Sequence, residues 1–312
     1  MEDELPYMDS NIIDFSNLMS SSSNIANEEL KKLRSFSTSW GCFQVINHGM
    51  STEYLDEVRN IIKNFFTLPV EEKEKYSKTP DNPQGYGTDY DPTKGPPPSY
   101  RLFLAMYPED ERQPDRWPKT PNNLRDILWD YTLKVKTTHE LIVQAMAKSL
   151  NLEDNKFLDC YGEHLQMAAR INYYPPFPLI DFARSNSTHA DVSAVTILLI
   201  DGEVEALEVE KDEQWFKVPM IPHAILVFVG DQLEIMSNGI FKSVVHRVKP
   251  NFEKDRMSFA MFMSPDLEKE VAPVKELVTE DRPALYKPIT RYIDLFERFY
   301  LKGQRPITAV KL

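Results

Sequence analysis

The sequence predicts an α+β protein in which helices pack around a sandwich or barrel of short strands. Residues 28 to about 165 carry apolar residues at helical spacing, whereas residues 166–265 carry short apolar runs separated by turn residues. No obvious linker divides the two textures. The expected organisation is one structural unit, with residues 1–165 a helical region packed on a core at 166–265 and residues 266–312 a C-terminal helix and lid. With 312 residues, the chain can bury a substantial core without disulfides or metals as staples.

The first helix is predicted from Leu30, Leu33, Phe36 and Trp40, which share one face at three- and four-residue spacing. Tyr54, Leu55, Val58, Ile61, Ile62, Phe65 and Phe66 mark a second. Leu124, Ile127, Leu128, Tyr131, Val135, Leu141 and Met146 mark a third over 122–150. Residues 79–99, rich in Pro and Gly, read as loop. Strands are predicted at Ala194–Ile200, Trp215–Val218, Ala224–Val229 and Met257–Met263, with a hairpin turn at Asn238-Gly239. A last helix is predicted over Arg291–Leu301 from Ile293, Leu295, Phe296, Phe299 and Tyr300.

Composition excludes several classes. Hydrophobic residues at 42% and charged residues at 27% suit a globular chain. No window approaches the roughly 18 apolar residues of a membrane span, and the acidic start MEDELPYMDS predicts no secretory signal. A net charge of -12 argues against nucleic acid or an anionic membrane as partner. Cys42 and Cys160 are too few for a disulfide framework, which points to a reducing compartment. Val310-Lys311-Leu312 lacks the Ser of a peroxisomal address, so the expected location is the cytoplasm.

The chemistry concentrates in the β-rich half. His189 and Asp191 lie two apart, so an extended chain aims both at one side. His246, from another predicted strand, supplies a second imidazole. Two imidazoles and a carboxylate form the facial triad that suits non-haem Fe(II), with open positions left for other ligands. A lone His-x-Asp is ordinary polarity in a chain with six histidines and 48 acids, so the case rests on what accompanies it. Arg256 and Ser258 form a further i, i+2 pair on a predicted apolar strand. A buried Arg needs an anionic partner, and a guanidinium beside a hydroxyl suits a carboxylate. Pairing with a local Asp or Glu remains the plain alternative for this pair.

The order of these pieces resembles the plant-type family of 2-oxoglutarate- and Fe(II)-dependent dioxygenases. The resemblance runs through Trp40-Gly41-Cys42-Phe43-Gln44-Val45-Ile46-Asn47-His48-Gly49, Leu68-Pro69-Val70-Glu71-Glu72-Lys73, Asn172-Tyr173-Tyr174-Pro175-Pro176, His189-Ala190-Asp191, Gly230-Asp231-Gln232-Leu233-Glu234-Ile235, Ser237-Asn238-Gly239, His246-Arg247 and Arg256-Met257-Ser258. It implies a double-stranded β-helix (jelly-roll) core flanked by N-terminal helices and a C-terminal helix. It also implies His189, Asp191 and His246 as iron ligands, with Arg256 and Ser258 on the distal carboxylate of 2-oxoglutarate. Tyr174 and Asn172 match further positions of the 2-oxoglutarate pocket. The implied cofactors are Fe(II), 2-oxoglutarate as co-substrate and ascorbate as reductant. The implied partners are dioxygen and a small plant specialised metabolite, which a monomer would hydroxylate, O-demethylate or desaturate with release of succinate and CO2. The final helix is expected to close the pocket. Retention of Asp191 points to an oxygenase, since a halogenase of this kind lacks that carboxylate.

Some positions depart from the family pattern. Many relatives carry a longer leader. Ala206 stands where relatives have Gly, Phe228 where they often have Asn, and Ser99-Tyr100 where they have Asp-Trp. The last lies where relatives shape the substrate pocket. Two alternatives stand beside the main expectation. One is an ascorbate-using oxidase resembling 1-aminocyclopropane-1-carboxylate oxidase, against which the tail Gln304-Arg305-Pro306-Ile307-Thr308-Ala309 lacks the charged pattern. The other is a non-catalytic jelly-roll binder, which would need no triad. The remaining histidines, at 48, 139, 164 and 223, read as structural or exposed.

Overall fold

A computed structural model describes residues 5–90, 97, 99–176, 188–200, 204–249, 251–300 and 304–312. Parts of the predicted 79–99 loop and Leu301 of the predicted last helix lie outside these residues, as do the side chains of Phe296 and Tyr300.

Among the described residues, eleven strands form two sheets. They are β1 (Ile12–Asp14), β2 (Cys42–Ile46), β3 (Gly85–Gly87), β4 (Tyr100–Tyr107), β5 (Gln166–Tyr174), β6 (Val195–Ile200), β7 (Leu207–Lys211), β8 (Gln214–Lys217), β9 (Ile225–Val229), β10 (His246–Val248) and β11 (Arg256–Ser264). The larger sheet has the order β1-β2-β9-β6-β11-β5-β4-β3 and the smaller β10-β7-β8. Every strand pair is antiparallel except β1–β2.

Side-chain alternation divides the large sheet into two faces. Met257, Phe259, Met261 and Met263 of β11 join the cluster packed under the helices. Ala260 and the half-buried Phe262, one residue out of step, face the smaller sheet with Leu198, Leu226, Phe228, Leu207 and Val209. The second cluster is the interior of the sandwich.

Seven α-helices are described: α1 (Phe15–Leu18), α2 (Ser23–Ser39), α3 (Thr52–Phe66), α4 (Val70–Glu74), α5 (Leu124–Ser149), α6 (Asp231–Met236) and α7 (Tyr292–Tyr300). In α3, the Ser51 hydroxyl caps the Tyr54 amide at 3.2 Å, and Leu55, Val58, Ile62, Phe65 and Phe66 form the buried stripe. The long α5 lies behind the large sheet, with Tyr131 against Phe259 at 4.7 Å between ring centroids. Each large apolar side chain so buried contributes about 1.5–3 kcal/mol.

Three local expectations are corrected. Trp40 is not on the helical stripe: α2 stops at Ser39, and Trp40 turns into the sandwich interior, edge-on to Phe216 at 5.0 Å. Asn238-Gly239 makes no hairpin. Both residues take positive φ, 51° and 73°, in a turn that ends α6, where the Gly239 amide reaches back to the Glu234 carbonyl at 2.8 Å. The mainly helical half also contributes β1–β4 to the large sheet; β1 and β3, three residues each, leave little periodicity to read.

Candidate active site

His189 and His246 oppose each other across an isolated antiparallel bridge and exchange both backbone hydrogen bonds, at 3.1 and 2.8 Å. The sequence places His189 on a strand, but the ladder here is a single bridge ahead of β6. Directly opposed residues share a side, and the two imidazole centroids are 4.4 Å apart. Asp191 Oδ1 lies 3.7 Å from His189 Nε2 and 3.8 Å from His246 Nε2. These separations exceed a hydrogen bond, yet all three ligand atoms fall within 4.8 Å of one another. Asp191 and His246 are 4% and 8% exposed and His189 is 28% exposed, so the cluster opens on the His189 side. Two imidazole nitrogens and one carboxylate oxygen converging in this way fit Fe(II).

The surroundings fix these groups. His246 Nδ1 lies 3.3 Å from the Val244 carbonyl. Donation there leaves the Nε2 lone pair facing Asp191 and His189. The His246 ring stacks on Phe228, with centroids 4.6 Å apart and planes 6° from parallel. The segment carrying Asp191 is strapped to the start of α6. The amides of Gly230, Asp231 and Gln232 donate to the carbonyls of Ala194, Asp191 and Ser193 at 2.9, 2.8 and 3.2 Å. The Gln232 side chain adds a bond to the Val192 carbonyl at 2.9 Å. Gly230 is required here for space, since a Cβ would sit 2.1 Å from the Ser193 oxygen.

Helix α6 is held in turn by the C-terminal segment. Fully buried Asp231 accepts from the Tyr292 hydroxyl at 2.8 Å and from Arg305 at 3.2 Å. Glu234 accepts from the Tyr286 hydroxyl and the Ser243 amide, both at 2.6 Å. The Gly230-Asp231 turn hinted at this anchor; its partners, 52 to 74 residues away, could not be read from the sequence.

The remaining predicted residues form two register pairs across β5 and β11, Tyr174 with Arg256 and Asn172 with Ser258. All four share the sandwich-facing side, being in step with Ala260. Arg256 and Ser258 are 2% and 5% exposed. The guanidinium carbon of Arg256 lies 5.3 Å from the Tyr174 ring centroid, and Asn172 Nδ2 donates to Ser258 Oγ at 3.4 Å. All seven predicted site residues therefore line the same interior. A buried guanidinium with a neighbouring hydroxyl and amide suits a dicarboxylate's far end.

Known proteins resemble this chain along most of its length. Residues 11–124 match the family described as the N-terminal region of the non-haem dioxygenase in morphine synthesis, and residues 165–265 match the 2OG-Fe(II) oxygenase superfamily. Jasmonate-induced oxygenase 4 of Arabidopsis thaliana is 38% identical over 84% of this chain and 75% of its own. Codeine O-demethylase of Papaver somniferum is 37% identical over 92% and 80%, and flavonol synthase 1 of Crocosmia x crocosmiiflora 39% over 80% and 76%. The crystal structure of JOX2 in complex with 2OG, Fe and JA superposes with a TM-score of 0.86 at 32% identity, covering 100% of this chain and 92% of that one. The expected α+β fold with a jelly-roll core is thus the fold observed.

Proposed function

The chain belongs to the plant 2-oxoglutarate- and Fe(II)-dependent dioxygenase family, and from that premise we propose that His189, Asp191 and His246 hold its iron while Arg256, Ser258, Tyr174 and Asn172 hold 2-oxoglutarate. The enzyme is a 2-oxoglutarate-dependent non-haem iron dioxygenase that oxidises a small plant specialised metabolite. The outcome is hydroxylation, O-demethylation or desaturation, with succinate and CO2 released. The kinship with 2-oxoglutarate oxygenases favours this reading over the ascorbate-using oxidase and the non-catalytic binder.

The observation that carries the residue assignment is the facing of the triad and the Arg256 group into one interior. Bound Fe(II) with 2-oxoglutarate supplies dioxygen activation coupled to oxidative decarboxylation of the keto acid. Asp191 contributes the anionic ligand and the two histidines neutral nitrogen donors. The Val244 carbonyl keeps the His246 tautomer able to bind. Arg256 orients 2-oxoglutarate by its far carboxylate, and Tyr174 backs the guanidinium. Phe228 and Leu198 keep water from one wall.

Ascorbate acts as an outside reductant in this scheme. The protein works as a cytoplasmic monomer, without nucleic acid or membrane. The net charge of -12 supports the reading without nucleic acid or anionic membrane. The test is succinate formation from 2-oxoglutarate with and without Fe(II), in wild type and Asp191→Ala. Iron-dependent turnover that Asp191→Ala loses together with bound iron is expected. Full iron content and turnover in the variant would refute the assignment.

A further inference from the structure

Beside the proposed 2-oxoglutarate site, the same wall carries charged groups that the reaction itself does not use. Arg101 of β4 is in register with Asn172 of β5, and Asn172 with Ser258 of β11, so the three share one face. Arg170 is in register with Ala260, which belongs to the sandwich interior. Both arginines therefore face the interior. They converge on Asp89: Arg101 Nε lies 3.0 and 2.9 Å from its two oxygens, Arg170 Nη2 2.9 Å from Oδ2, and Lys78 Nζ 2.9 Å from Oδ1. Arg170 Nε also donates to Asn172 Oδ1 at 3.0 Å, which ties the cluster to the proposed co-substrate pocket.

The charge does not balance. Three cations meet one carboxylate, which leaves two positive charges in excess among the described residues of the cluster. The excess stands out in a chain of net charge -12. Arg101 is only 9% exposed, lying over the Phe103 ring at 5.5 Å; Asp89 is its counter-charge and Arg101 Nη1 donates to the Pro83 carbonyl at 3.2 Å, so the excess falls on the more exposed Arg170 and Lys78. Burial alone would raise the Asp89 carboxyl, but Arg101, Arg170 and Lys78 hold it well below the usual carboxylate range. Asp89 is thus a fixed anion already saturated with donors. Arg170 and Asp89, 39% and 41% exposed, leave the cluster open on one side.

We propose that the substrate is an organic carboxylic acid whose carboxylate seats on Arg101 and Arg170, at the β4–β5 wall of the pocket. This rests on the oxygenase reading and narrows it to a substrate class. Guanidinium forks suit a carboxylate. An anion anchored on the same wall as Asn172 and Ser258 would hold the rest of the molecule inside the sandwich. The arginines are thus assigned to substrate specificity, with no role in the chemical step.

The test compares acids with their own methyl esters. Cinnamic, indole-3-acetic and jasmonic acids, each beside its ester, are titrated calorimetrically into the metal-free protein. The same compounds are then scored for stimulating 2-oxoglutarate consumption by the Fe(II)-loaded enzyme. At least one acid should bind and stimulate, with its ester weaker by about tenfold or more, the loss expected for a hydrogen bond to a charged group. Arg101→Gln should bring the acid-to-ester ratio toward one, and Arg101→Lys should restore part of it. Arg170→Gln, at a more exposed position, should act in the same direction if Arg101→Gln folds poorly. Stimulation by esters or amines but by no acid would overturn the proposal, as would an unchanged ratio in both Gln variants. Acid binding without any Fe(II)-dependent 2-oxoglutarate consumption would instead refute the oxygenase reading and leave this site standing.

Discussion

On the proposed assignment, replacing Arg256 by Ala should separate co-substrate binding from metal binding. The side chain is 2% exposed at the first position of β11, in register with Tyr174. Exposed ion pairs contribute only about 0–1 kcal/mol, whereas truncating one member of a buried, hydrogen-bonded charge pair costs about 2–5 kcal/mol. At about 1.4 kcal/mol per decade, that range is roughly a 30- to 5,000-fold rise in the KM for 2-oxoglutarate. Ser258 and Asn172 remain at 3.4 Å from each other and still offer donors, so the lower half of the range is expected. The assay is the initial rate of succinate formation against 2-oxoglutarate concentration, at saturating iron and substrate, with iron content measured in parallel. Iron content should hold near the wild-type value, because no triad atom belongs to β11. Arg256→Lys should recover part of the loss, though without a fork for bidentate contact. A KM within about threefold of wild type would mean that another group carries the distal carboxylate, since even the smallest loss above is larger.

Three further outcomes follow from the surroundings of the site. Gly230→Ala places a Cβ 2.1 Å from the Ser193 oxygen and 3.1 Å from the Asp191 oxygen, so the metal-bearing segment must shift; weaker iron binding and a lower Tm are expected, and unchanged iron affinity would contradict the close approach. Asp231→Asn removes the charge that Tyr292 and Arg305 meet, so the segment after 290 should be cleaved faster in limited proteolysis, and an unchanged cleavage rate would count against this anchor. His139 is fully buried, and burial, with a smaller push from Lys136, lowers its pKa from 6.5 to about 3. The unfolded chain therefore binds the extra proton across that window, and stability present above pH 6.5 is lost as pH falls toward 3. Between pH 7.5 and 5.0 that loss is about 2 kcal/mol, so His139→Leu should lose about that much less in urea titrations at the two values, and parallel losses would refute the assignment.

The His189/Asp191 and Arg256/Ser258 pairs of the candidate site are legible from local geometry, whereas distant His246 joins them only through the family resemblance and the His189–His246 bridge. His189 with Asp191 and Arg256 with Ser258 are i, i+2 pairs, and an extended backbone aims such pairs the same way whether or not a long ladder forms. Asn238-Gly239 reads as a hairpin turn in the sequence because left-handed residues serve both hairpins and helix ends, and only the preceding α6 distinguishes them. Strand β1, three residues long and parallel to β2, has no period to detect. Phe228 could be noticed as a departure from the family pattern, but its stacking on His246 depends on bringing β9 against the other sheet. The Asp89 cluster was invisible for a similar reason. It joins a loop residue to β4 and β5 across 12 and 81 positions, and nothing in either strand marks its arginines as inward-facing.

Register is what turns these scattered residues into one site. Along β11, Arg256 and Ser258 alternate with Met257 and Phe259, and the methionine and phenylalanine lie in the helix-covered cluster. A slip of one residue would send Arg256 and Ser258 under the helices and turn Met257 and Phe259 toward the proposed co-substrate site. The slip would bury a charge among apolar side chains and remove packing partners from Tyr131 of α5, so the helices select the register even though they contribute none of the seven proposed site residues. The same logic extends across β5 and β4, where Ser258, Asn172 and Arg101 share one row. A bulge between Ala105 and Tyr107 breaks the β4 ladder only beyond Arg101 and Phe103, so the charged row lies within its regular part. The apolar face behind the sheet thus fixes which polar residues reach the pocket, and the pocket's chemistry can change at inward positions such as Phe228 and Arg101 without disturbing the packing that holds them.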